Sequence, residues 1–102
     1  DFPTMELEGR IVRARVPQVT EAMTDHLVSF VSKVREMDLK KLPSVSETID
    51  WAKSLVLLHA DSLDEELVKS SLSALLKHEE DLTSVVENLV DLLNTEKQAA
   101  NA

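Results

Sequence analysis

Cysteine is absent from the 102 residues, which removes disulfides and thiolate metal sites from consideration. Glycine occurs once, at Gly9, and proline three times. A phosphate loop of the Walker type needs glycines flanking four residues before Lys-Ser/Thr, because bare backbone amides must reach the phosphates. A chain with Gly9 alone cannot build one. Aromatic residues are scarce: two phenylalanines, no tyrosine, and a single tryptophan at Trp51. No apolar run approaches the ~20 residues of a membrane span, and no basic-then-apolar leader opens the chain. Basic residues are outnumbered, 11 against 19 acids, for a net charge of −8. Nucleic-acid binders carry a basic excess, so the balance argues against DNA or RNA as a partner of the whole chain.

What is abundant is helix-forming. Apolar residues make up 43% and charged residues 29%, the balance of a globular chain rather than a disordered one. Leu, Glu, Lys and Ala are abundant, and no strand pattern competes. The length suits one domain with one modest core. Charge is uneven: residues 1–41 carry seven acids and seven bases, whereas residues 42–102 carry twelve and four. We read the acidic half as a solvated surface. The chain starts at Asp1 rather than Met, and we read it as a piece of a longer protein.

The pattern predicts five helical segments in a compact all-α bundle. In the first, Thr4 caps Glu6 or Leu7, and Leu7, Ile11 and Ala14 mark the inner face up to Pro17. The second runs from about Val19 to Met37, with Met23, Leu27, Phe30, Val34 and Met37 at alternating spacings of four and three. A polar connection with an anchoring Leu39 follows. Ser44 and Glu47 then form Ser-x-x-Glu, a capping box, with Ser46 as an alternative cap. Val45, Ile49, Ala52 and Val56 make the third helix's stripe, widened by Trp51, Leu55 and Leu58. Ser62 and Glu65 repeat the capping-box spacing, opening a fourth helix through Leu67, Val68, Leu72, Leu75 and Leu76 to Lys77 and His78. The last begins near Glu79 or Glu80 and presents Leu82, Val85, Val86, Leu89, Val90, Leu92 and Leu93. The closing "NTEKQAANA" has no apolar anchor, and residues 96–102 are expected to be a flexible tail.

Chemistry-bearing constellations are thin. His59, Asp61, His78 and the Glu79–Asp81 run could suggest a metal site. Both histidines, however, fall at expected helix C-termini, where an imidazolium complements exposed carbonyls. His26 borders a core stripe. Glu47 and Asp50 share a helical turn, but capping and the helix dipole explain them as paired carboxylates need not. No nucleophile–base pair is identifiable. The expectation is therefore no catalytic residue, no metal and no enzyme activity in this piece alone.

Three stretches, "DFPTMELEGRIVRARVP", "FVSKVREMDLKKLPSVSETIDWAKSLVLL" and "LVKSSLSALLKHEEDL", resemble the C-terminal lid region of MoxR-type AAA+ ATPases. The similarity runs from Asp1 to about Leu82. It is most specific over Leu39–Leu55, with Arg35 just upstream. The resemblance implies that residues 1–3 are the hinge remnant from an absent ATPase core and that residues 4–95 are the helical lid. It also implies that the parent binds ATP and Mg and hydrolyses ATP in the cytoplasm. Partners would be the protein's own core, neighbouring subunits of a homo-oligomeric ring, and a von Willebrand factor A-type protein. In such lids the third helix's entrance carries a sensor-2 arginine, often within Gly-Ala-Ser-Pro-Arg. Here the matching place reads Pro43, Ser44, Val45, Ser46 and Glu47, with Ser46 or Glu47 at the arginine's position. Lys40 and Lys41, just before it, are expected to be exposed and to contact the core or a neighbouring subunit. A free-standing helical adaptor that binds a partner protein is the alternative reading.

Overall fold

The first four α-helices each start behind a side-chain cap. In the computed structural model, which describes residues 1–93, the first helix α1 spans Met5–Arg15 behind Thr4, whose hydroxyl accepts from the Leu7 amide at 3.2 Å. The second, α2, spans Glu21–Val34 behind Thr20, which accepts from Met23 at 3.0 Å. It is shorter at both ends than the hydrophobic pattern predicts, because Thr20 fixes its start and Arg35 caps its end. Helix α3, Val45–Leu57, opens with the predicted Ser44–Glu47 capping box. Helix α4 covers Glu65–Ser71 and tightens into a 3-10 turn at Leu72–Ala74. Helix α5 covers Glu79–Glu87, and the backbone is helical again over 89–93. Every regular element among the described residues is helical.

Helix α3 is the central element: it packs on α1, α2, α4 and the 3-10 turn, while α1 lies mainly along α2. Trp51 and Phe30 are both fully buried at the middle of the core, with ring centroids 5.4 Å apart and planes tilted by 45°. The indole N–H of Trp51 donates to Ser71 Oγ at 2.9 Å, so the buried polar atom is satisfied. The radius of gyration is 12.4 Å, close to the ~13 Å of a compact hundred-residue domain.

Four details differ from the sequence pattern. The buried stripe of α1 is Glu8, Val12 and Val16; Leu7 is 43% exposed, Ala14 is exposed and Ile11 only half-buried. The fourth helix is capped by Asp64, which accepts from Leu67 at 2.8 Å, and not by Ser62. It also ends before Lys77. The hydroxyls of Ser70 and Ser71 both bond back to the Leu67 carbonyl, and the tighter turn that follows buries Leu72, Leu75 and Leu76 together. Finally, Leu58, Val86 and Val90 lie on the surface. The expected tail, residues 96–102, falls outside the described residues.

At the far end of α3 the chain turns with a Schellman motif. His59 N–H bonds the Val56 carbonyl and Ala60 N–H the Leu55 carbonyl, each at 3.0 Å, and His59 takes the left-handed conformation at φ 54°. His59 thus sits at a helix C-terminus as expected. His78 does not: it is the residue before the first turn of α5.

Candidate functional site

The connection between α2 and α3, residues 36–44, brings the sequence-predicted residues together. It is held from three sides, each time by a buried carboxylate.

The first grip comes from α1. Glu8, 1% exposed, takes the Arg35 guanidinium in a two-pronged pair at 2.6 and 2.9 Å. Arg35 Nε donates to the Pro43 carbonyl at 2.9 Å, and its Cζ lies 4.1 Å from the centre of the Phe2 ring. One arginine therefore joins the opening residues, α1, and the doorstep of α3. The second grip comes from α5. The carboxylate of Asp81, 2% exposed, accepts from the backbone amides of Lys40 at 2.8 Å and Lys41 at 3.1 Å. The third is local. Glu47 accepts from the Ser44 amide at 3.1 Å, the Ser44 hydroxyl at 2.9 Å and Lys41 Nζ at 3.2 Å.

Burial works to raise the Glu47 pKa, but the bonds from Ser44 and the Lys41 ammonium outweigh it and hold the group below its ordinary value. Outside, Lys40 pairs with Glu80, and both side chains are more than half exposed. That contact raises the lysine's pKa and lowers the glutamate's.

The seven candidate residues therefore have separate jobs. Pro43 is buried with its carbonyl engaged, Ser44 is the cap, and Val45 is half-buried. Ser46 is exposed on the first turn. Glu47 is folded back into the cap and is not directed outward. Lys40 and Lys41 are exposed, as expected, yet each already has a carboxylate partner. The α3 entrance thus carries its own anion. An incoming phosphate would meet the Glu47 charge where the helix dipole and amides otherwise favour it.

Of the remaining candidates, His26, Asp50, His59, Asp61 and His78 are exposed. Among the described residues no three His, Asp or Glu side chains come together as a metal-binding group. No described helix is long and apolar enough to cross a membrane. Sequence reasoning missed the roles of Glu8 and Asp81. The available signal was a four-residue offset: each acid precedes two apolar residues at i+4 and i+8, Val12 and Val16 after Glu8, Val85 and Leu89 after Asp81.

Searches of family models, of curated proteins and of solved structures returned no match for this chain.

Proposed function

We propose that the chain is the lid subdomain of a MoxR-like AAA+ ATPase. In this reading it closes over a nucleotide held by the parent's core, and couples ATP binding and hydrolysis to the arrangement of ring subunits and to chaperone-like remodelling. The core, the neighbouring subunits and a von Willebrand factor A-type protein are the partners that go with it. ATP and Mg belong to the parent; the piece itself supplies no catalytic residue.

The resemblance over Asp1–Leu82 is the basis, and an all-helical compact domain is compatible with it. One observation supports it more specifically. The opening residues and the α3 entrance meet on the same guanidinium, through Phe2 on one side and Pro43 on the other. A lid needs its hinge and its nucleotide-facing helix start to move together, and this contact supplies such a link. The Glu47 cap favours a structural role for the entrance, with Ser46 left as the outward residue.

The test is made on the longer protein. The sequence before Asp1 should contain a phosphate loop, and Lys40→Ala with Lys41→Ala should change ATP turnover more than the thermal midpoint. Both lysines are surface residues in paired contacts, so their removal carries little stability. An upstream sequence without a phosphate loop overturns the proposal, as does unchanged turnover with a lowered midpoint. The adaptor reading draws on one observation, the exposed pair Leu57 and Leu58 at 78% and 51% on the end of α3.

A further inference from the structure

A second surface lies away from the α3 entrance and owes nothing to nucleotide. A cleft of about 410 Å³ opens between the first half of α2, the α3–α4 connection and the helical segment at 89–93. Its accessible apolar surface is carried by Leu63, Leu93 and the half-exposed Val90, above the buried Met23 and Phe30. Its rim is acidic on balance: Asp61, Asp64 and Glu65 are all exposed, with the His26 imidazole the one other titratable group in the lining. Asp64 uses one carboxylate oxygen to cap α4.

The sign of the rim is not balanced from below. The three stretches that wall the cleft, 16–32, 54–68 and 78–93, contain no lysine or arginine. Arg13, which reaches Glu21 at 3.7 Å, spends its charge on that pair at the first residue of α2. An apolar surface inside an acidic rim selects a guest that answers both, because the rim steers and orients while the apolar surface supplies affinity. Anionic surfaces such as nucleic acid or acidic lipid are repelled by the same rim.

We infer that this cleft docks a cationic amphipathic segment of a protein partner, one or two large apolar side chains seated against Leu63, Val90 and Leu93 with flanking Lys or Arg on the rim. From Met23 to Arg35 the α2 axis runs about 18 Å, so a segment bound here leaves the α3 entrance open. The inference stands whether or not the lid reading holds.

The experiment uses the full chain with methyl-labelled NMR detection and a synthetic helical Leu/Lys peptide of about 14 residues, ~20 Å long. Binding should shift the Met23, Leu63 and Val90 methyls, and should weaken as salt rises from about 50 to about 500 mM. Asp61→Lys with Glu65→Lys should weaken it roughly tenfold or more, since like charges then face each other. Neither residue caps a helix or forms an ion pair among the described residues, so the fold survives the change. Val90→Ser should weaken binding from the apolar side without changing the charge of the rim. Equal binding by a peptide with Glu in place of each Lys, or by one with Ser in place of each Leu, overturns the inference. So do shifts centred on Leu57 and Leu58, or binding indifferent to the double lysine variant. Binding that develops only after residues 94–102 are deleted also overturns it, by making this chain's own end the occupant.

Discussion

Replacing Glu8 by Leu leaves the Arg35 guanidinium without its carboxylate, on a side chain that is only 8% exposed. The Pro43 carbonyl and the Phe2 ring remain, but neither carries a charge. Removing one partner of a buried pair costs about 3–5 kcal/mol, since the other charge stays desolvated. Arg35→Met strands the Glu8 carboxylate in the same way. The double variant Glu8→Leu with Arg35→Met has no stranded charge. It still forfeits the bond to Pro43, ~1.5–3 kcal/mol, and the contact with Phe2, ~0.5–1 kcal/mol. Its loss should therefore be about 2–4 kcal/mol, well short of the sum of the singles. Against a total stability of ~5–15 kcal/mol, each single variant is a severe lesion, worth roughly 15–30 °C in midpoint. Urea unfolding followed by Trp51 fluorescence measures all four corners of the cycle. Single losses that add up to the double loss would refute the reasoning, because the two groups would then not be acting as a pair.

Trp51→Ala should cost about 3–5 kcal/mol in urea unfolding, as expected for a fully buried ring, and Ser71→Ala about 1–3 kcal/mol because it orphans the indole N–H. A Trp51→Ala midpoint equal to the parent's would place the ring outside the core. Glu47 has a folded pKa below its ordinary value, so its contribution is complete above the range where an unfolded glutamate titrates and is lost as pH falls through the folded value. The acid limb of the stability–pH curve should accordingly flatten in Glu47→Gln, and an unchanged limb would remove Glu47 from the account. Gly9→Ala should stabilise by about 0.5–1 kcal/mol, since the added methyl meets Thr24 Cγ2 at an ordinary 3.6 Å inside a helix; a lower midpoint would mean that α1 and α2 pack too closely for it.

The bundle was legible in the sequence because its caps and its apolar periodicity agree: Thr4, the Ser44–Glu47 box and the Met23–Leu27–Phe30–Val34 stripe all stand where the pattern puts them. The phase of α1 was not. A reading that scores apolar residues chooses Leu7, Ile11 and Ala14, whereas the core takes Glu8, Val12 and Val16. The difference is one position, about 100° of helix, and it turns on an acid whose partner is 27 residues away. Asp81 misleads in the same manner on α5, where Val85 and Leu89 continue its stripe while Val86 and Val90 face outward. The early end of α4 depends on serine hydroxyls bonding back to Leu67, a choice no periodicity encodes. Of the candidate site, the sequence located the α3 entrance and the exposed lysines. The capping box already turns Glu47 back onto Ser44, but no local pattern signals that Lys40 and Lys41 are anchored through their backbone amides.

Those anchors make the 36–44 connection behave as core rather than as loop. Glu8 reaches it through Arg35 and Pro43, Asp81 through two amides, and Glu47 through the amide and hydroxyl of Ser44. Hydrogen bonds to a charged group are worth about 1.5–3 kcal/mol each, so freeing the segment locally means breaking several such bonds at once. That cost is comparable with the stability of the whole domain. The backbone amides of Lys40, Lys41 and Ser44 should then exchange with solvent deuterium only through global unfolding, at a free energy matching that from urea titration. Asp81→Ala should bring the first two down together and leave Ser44 protected, because the Ser44 amide is held by Glu47 instead. Fast exchange at all three amides in the parent chain would sink the argument. It would show an α3 entrance that opens by itself, unable to transmit a displacement of the opening residues through Phe2 and Arg35.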